Sequence, residues 1–263
     1  MKKRLLLMLS VILPIVLMMF PTNSFAANFN GFNKNGIKEI VVEEYPLIDN
    51  LKELTKIAHK NVVLPDGKKV IANLNGKEVP CYTAIEKVRN TKNISTGEEK
   101  TLYRITSLAY DTEADIQSLP DQRYRKDPPY TTGAGIRAYY EGSRTRNNII
   151  FKRVSKWEGM IETLDTQARY PFACVYSKAL GETYDYDSIG SWPYIPATFE
   201  RQINYLSTWY SLYTPWANEY IACTGAMGQM GGTYVEITRA FGGETWTLEV
   251  KLNYGLTEHD YDS

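Results

Sequence analysis

The sequence predicts a mainly β protein, with an antiparallel β-sandwich-like C-terminal domain preceded by a small α+β region of one helix and a β-meander. Three observations carry that expectation. In residues 233–254, Val235, Ile237 and Phe241 alternate along one strand and Trp246, Leu248, Val250 and Leu252 along the next, with Gly242-Gly243 supplying a tight turn between them. Turn signals recur roughly every ten residues through the C-terminal half, the spacing of a sandwich or barrel. Twenty Tyr, five Trp and eight Phe suit half-buried pleated surfaces, and the chain lacks the long Ala/Leu/Glu/Lys runs of a helical bundle. Within the hairpin only Arg239 breaks the apolar row, as a rim residue with a buried stem and a wet head would.

Taken in order, residues 1–26 read as a bacterial-type signal peptide. Lys2, Lys3 and Arg4 precede an uncharged apolar run from Leu5 to Phe20, and Ser24 and Ala26 stand at the −3 and −1 positions of a cut after Ala26. A secreted, extracellular chain without a stable membrane anchor is therefore expected. Removing those residues leaves 27 basic against 30 acidic residues, a net charge near −3. With no basic stripe to neutralise phosphates, nucleic acid is not an expected partner.

Residues 27–36, rich in Asn and Gly, are expected to be a flexible N-terminus. Residues 37–128 form the small α+β region. It begins with a short strand over 37–44, then a helix capped by Asp49 or Asn50 with Leu51, Leu54, Ile57 and Ala58 at helical spacing. Residues 62–88 read as a meander turned by Pro65-Asp66-Gly67 and by Asn75-Gly76, the strongest two-residue hairpin signal. Residues 102–109 alternate Leu102, Arg104, Thr106 and Leu108 against Tyr103, Ile105, Ser107 and Ala109, a strand with both faces partly covered.

A charged segment ending in Asp127-Pro128-Pro129 marks the expected boundary, because successive prolines oppose both helix and central strand. Residues 129–263 form the β-sandwich-like domain. Ile136, Ala138 and Tyr140 share a face, 142–148 is a hairpin loop, and 149–154, 157–164 and 170–178 are strands. Residues 180–216 are the most aromatic part and are broken by Pro193, Pro196 and Pro215.

That aromatic stretch supplies the candidate ligand-binding residues Tyr184, Trp192, Tyr194, Trp209 and Trp216, since exposed rings offer flat apolar faces with a hydrogen-bonding edge that suit sugars. Cys174 and Cys223 are expected to form a disulfide and Cys81 to remain free, the simplest count for three cysteines in an oxidising compartment. No catalytic residue, metal ligand or cofactor is assigned. Glu182, Asp185 and Asp187 lack the glycine and distal glutamate of an EF-hand, His59 and His259 have no cluster around them, and no nucleophile elbow, zinc helix, phosphate loop or C-x-x-C pair occurs.

The expected function is a non-catalytic extracellular binding or interaction protein, with polysaccharide or a cell-surface component as its partner. A carboxylate-dependent hydrolase is the alternative, with Glu158, Glu162, Asp165 and Glu200 as the available acids. A toxin or membrane-active protein is the second alternative, resting on the small, nearly uncharged residues 222–232.

Overall fold

A computed structural model describes residues 39–60, 62, 64, 70–111, 132–163, 168–184, 197–224, 227–239 and 245–254. Two units divide the chain, Met1–Ile40 with Asn93–Gly97 and Val41–Lys92 with Glu98–Ser263. In the first, Asn93 makes a tight turn: its carbonyl accepts from Gly97 N at 2.8 Å and its side chain from Ser95 N at 2.9 Å. The second carries the fold.

The elements of the chain are β1 (Glu39–Glu44), α1 (Leu51–Ile57), β2 (His59–Lys60), β3 (Ile71–Leu74), β4 (Lys77–Glu78), β5 (Cys81–Asn93), β6 (Glu99–Tyr110) and β7 (Thr132–Arg146). There follow β8 (Ile149–Thr163), β9 (Ala168–Leu180), β10 (Ala197–Gln202), β11 (Tyr210–Leu212), β12 (Ile221–Ala222), β13 (Gly228–Arg239) and β14 (Thr245–Tyr254). The fold is mainly β and sandwich-like, as expected. A curled first sheet runs β1-β5-β6-β7-β8-β11, with β12 also on β8 and β2 on β5. A second sheet runs β10-β9-β13-β14-β3-β4. The β9–β13, β3–β14, β6–β7 and β7–β8 pairings are antiparallel, and both sheets take strands from either side of residue 128.

The expected C-terminal hairpin is the pair β13–β14, registered Ile237 with Trp246, Val235 with Leu248 and Thr233 with Val250. Val235, Ile237, Leu248, Val250 and Leu252 are fully buried on its inner face. Phe241, the Gly242-Gly243 turn and the side chain of Arg239 lie outside the described residues. Because β13 is flanked by β9 and β14, the hairpin sits in the middle of the second sheet.

Opposite it, the first sheet contributes Ile105, Ile136, Ala138, Trp157 and Ile161 to the same core. The two layers interlock through large-to-small pairs. Gly231 lies under the indole of Trp157, and Gly159 receives Val175 and Thr233. Thr233 Oγ1 donates to Gly135 O at 2.7 Å, satisfying a buried hydroxyl across the sandwich.

The helix forms where its apolar spacing places it. Asn50 is the cap, its side chain accepting from Lys52 N at 2.9 Å, while Leu54 and Ala58 bury against Ala84 on the outer face of the first sheet. Ile57, expected on the same face, is exposed.

The meander is corrected. Asn75 (φ 49°) and Gly76 (φ 77°) do make a hairpin turn between β3 and β4, but this hairpin extends the second sheet along β14. After Val79 N bonds to Ala72 O, Pro80 offers no N–H to continue the ladder, and the chain leaves for the first sheet as β5. The strands expected at 149–154 and 157–164 are one strand, β8, and its turn from β7 is only Asn147-Asn148 (φ 51° and 63°).

The expected Cys174–Cys223 disulfide is also corrected: no disulfide joins Cys81, Cys174 or Cys223. Cys174 lies with Tyr176 and Met230 on the outer face of the second sheet, whereas Cys223 packs against the core between the sheets. The side chains thus lie on opposite sides of β9, and no rotamer joins them.

Candidate functional site

Strand β9 decides where a ligand can sit. Ala173, Val175, Ser177 and Ala179 point inward, and their small side chains leave room for Trp157 and its neighbours. The bulky residues Phe172, Cys174, Tyr176 and Lys178 therefore point outward. They line an open groove of about 310 Å3 on the outer face of the second sheet, with β10 contributing Thr198 and Glu200, β13 Met230 and Tyr234, and β14 Glu249 and Lys251.

The register fixes its layout. One row across the strands reads Glu200, Tyr176, Gly232, Lys251; the next reads Gln202, Cys174, Tyr234, Glu249. Gly232 has no side chain to fill the floor, and the Tyr176 ring lies across it: a Cβ there would fall 2.5 Å from the Tyr176 hydroxyl oxygen. That hydroxyl donates to Glu249 Oε1, and Lys251 Nζ lies 2.9 Å from Glu249 Oε2. Phe172 and Tyr234 meet with ring centroids 6.1 Å apart and form the apolar end. The groove thus combines aromatic faces with fixed carboxylate, ammonium and hydroxyl groups, the mixture of a small-molecule or sugar subsite.

The thiol that lines it is not activated as a nucleophile. Burial first, then the carboxylates of Glu200 and Glu249, push the Cys174 thiol up to about 11, so it stays protonated at neutral pH. Tyr234 is likewise raised by burial and by Glu236.

The outer face of the first sheet carries a second polar constellation. Arg104, fully buried on β6, holds Glu86 with Nε and Nη2 at 2.9 and 3.1 Å, Asp49 Oδ1 with Nη1 at 2.6 Å, and Ile48 O with Nη2 at 2.7 Å. On β7, Arg137 stacks its guanidinium 3.8 Å from the Trp209 ring centroid. Its strand partner Glu158 accepts from Tyr139 Oη and Ser211 Oγ, each at 3.1 Å, and meets Lys156 Nζ at 2.5 Å. Burial and the neighbouring Arg104 charge hold Arg137 below the usual arginine value. Burial opposes the charge of Arg104 too, but Asp49 and Glu86 hold it above that value.

The sequence-derived candidates are dispersed. Trp216 is 1% exposed, packed on Ala179 and Ile221 with Phe199 edge-on at 5.4 Å. Tyr184 is half-buried against Phe151 and Tyr220, and its carbonyl accepts from Arg146 Nη1 at 2.6 Å. Trp209 belongs to the Arg137 constellation. Trp192 and Tyr194 lie outside the described residues, as do Asp185, Asp187 and Asp165. Among the described residues of the aromatic stretch, the exposed rings are Tyr205, Tyr213 and Phe199.

Of the alternative hydrolase's acids, Glu158 is buried with its oxygens engaged, Glu162 is buried beside Tyr110 Oη at 3.2 Å, and Glu200 faces the groove. Sequence reasoning missed Phe172, Tyr176, Tyr234, Glu249 and Lys251. The signal was present in β9, where large residues alternate with Ala and Ser, but it reads equally well with the large residues inside. Among the described residues no group of three His, Cys, Asp or Glu side chains gathers as a metal centre. No described helix is long and apolar enough to cross a membrane, which says nothing of a β-barrel. Comparison of the chain with protein-family models, with curated proteins and with solved structures found no match.

Proposed function

We propose that the protein is a secreted, non-catalytic binding protein that recognises extracellular or cell-surface polysaccharide. The groove on the second sheet is its platform, and the aromatic-rich region 180–216 supplies one wall of that groove through β10. The observation that supports this reading is the Tyr176 ring laid over Gly232, with Phe172 and Tyr234 beside it and Glu200, Glu249, Lys178 and Lys251 around it. A sugar ring stacks its C–H face on such aromatics and exchanges its hydroxyl hydrogen bonds with the surrounding charged groups. A rigid antiparallel sheet presents these groups without the entropy cost of ordering a loop on binding.

The test is co-sedimentation of the purified chain with insoluble cell wall and with a panel of insoluble polysaccharides, assaying the supernatant for new reducing ends. Retention without release is expected. Tyr176→Ala and Tyr234→Ala should each weaken retention about three- to tenfold, the worth of an aromatic stacking contact, with circular dichroism unchanged. Retention untouched by both changes would reject the groove as the platform, and release of sugar ends would replace this reading with hydrolysis.

A further inference from the structure

The first sheet holds two buried arginines whose surroundings differ in one respect. The side-on edge of Arg104, its Nε and Nη2, is filled by the carboxylate of Glu86 at 2.9 and 3.1 Å. The same edge of Arg137 has no hydrogen-bond acceptor among the described residues, although the side chain is only 3% exposed. Its remaining nitrogen, Nη1, faces Asp49 at 3.6 Å and Glu158 at 3.7 Å.

Directly across the β6–β7 ladder from Arg137 stands Thr106, whose buried hydroxyl also lacks a partner among the described residues. Beyond Thr106 the same row ends in Ala84, too short to reach either group. Three orphaned donor positions therefore lie together in one register row, at a place where the neighbouring arginine has a carboxylate. Every described acid nearby is committed: Glu86 to Arg104, Glu158 to Tyr139, Ser211 and Lys156, and Asp49 to Arg104.

A guanidinium edge presents two parallel N–H groups that match the two oxygens of a planar carboxylate, and burying such donors without an acceptor is costly. The Trp209 ring covers one face of the guanidinium at 3.8 Å, which would shield the pair from water and strengthen it. We infer that the Nε–Nη2 edge of Arg137 and the hydroxyl of Thr106 form a binding site for a small monocarboxylate, separate from the groove on the second sheet. The carboxylate oxygens accept from Nε and Nη2, and one of them accepts from Thr106 as well. Formate and acetate are the smallest probes of this chemistry.

The experiment is isothermal titration of the full chain with sodium acetate and sodium formate, against sodium chloride at matched ionic strength, with Trp fluorescence recorded in parallel as a readout of Trp209. Saturable one-site binding of both carboxylates is expected, with no comparable response to chloride. Thr106→Val, nearly isosteric, should bind about tenfold more weakly through loss of one hydrogen bond to a charged ligand. Arg137→Lys, which keeps the charge but not the fork, should lose at least as much. If Arg137→Lys does not fold, Thr106→Val alone decides. An equal, unsaturable response to acetate and chloride would overturn the inference, because water then satisfies these donors. Acetate binding unchanged in Thr106→Val would overturn it as well, by placing the anion elsewhere.

Discussion

The indole of Trp157 rests on the backbone of Gly231: a Cβ built on that glycine would fall 2.3 Å from Trp157 Cε3. Trp157 is fully buried and has no solvent to retreat into, and the backbone of β13 is held on both sides by β9 and β14. Gly231→Ala must therefore push two sheets apart or force the indole off its rotamer, which costs about 1–3 kcal/mol or more in a well-packed core. Chemical denaturation should show a lowered midpoint with an unchanged slope. Wild-type stability in this variant would mean that the sandwich is looser than the Trp157 contact implies.

Trp216 and Tyr205 lie in the same aromatic stretch and should behave oppositely. Trp216 is 1% exposed and Tyr205 73% exposed. Trp216→Ala should cost about 3–5 kcal/mol, the range for truncating a buried aromatic, and Tyr205→Ala no more than about 0.5 kcal/mol. Thermal or urea unfolding of the pair measures both. Equal effects would show that the stretch is not anchored through Trp216.

The contrast between those two rings also marks how far the sequence is legible. The C-terminal hairpin was readable because Val235, Ile237, Leu248 and Val250 follow a strict two-residue period with polar residues between them. Asn50 and Leu54 were readable for the same kind of local reason. Strand β9 was not: both its faces carry apolar residues, so period alone leaves the inside undecided. The face was set instead by Trp157 and Gly231 on other strands, since a large indole demands small residues around it. The disulfide expectation failed with it, because pairing Cys174 with Cys223 required Cys174 to face the core. Arg104 and Thr106 hinted at covered polarity in an otherwise apolar strand. Their partners Glu86, Asp49 and Arg137 are too distant in sequence to be paired by local reasoning. The single meander was broken by Pro80, whose consequence depends on two sheets competing for the next strand.

Glu86 and Asp49 both contact Arg104, but burial separates their worth. Glu86 lies in the interior with its carboxylate side-on to the guanidinium, whereas Asp49 is 76% exposed. Removing one partner of a buried pair leaves an uncompensated charge, so Glu86→Ala should cost about 3–5 kcal/mol. Asp49→Ala, a water-screened contact, should cost about 1 kcal/mol or less, and still less at high salt. Equilibrium denaturation at two salt concentrations tests both. A loss at Asp49 as large as that at Glu86 would mean that Asp49 is effectively sealed from solvent by the segment before α1.

The raised thiols of Cys81 and Cys174 make stability fall on the alkaline side, and Cys81 is where the effect concentrates. Burial raises its thiol from the ordinary 9.0 to about 12, with the hydrogen bond to Thr83 only partly opposing the shift. The sign follows from which form each state prefers. Below pH 9 the thiol is neutral in folded and unfolded chains alike, and its full contribution is present. Between about 9 and 12 the unfolded chain ionises while the folded chain resists, so unfolding gains a driving force with each step in pH and stability declines through that window. Cys81→Ala, though less stable at pH 8 through the lost packing, should show a shallower decline from pH 9 to 11 when both are followed by urea unfolding. Thiol labelling gives an independent check. Half-buried Cys223 should react with a small alkylating reagent well before Cys81 in the folded chain, and denaturant should erase the difference. Parallel slopes for wild type and Cys81→Ala would show that Cys81 ionises as freely folded as unfolded, and the tight packing of β5 against the Ala109 and Leu108 backbone would then have to be abandoned.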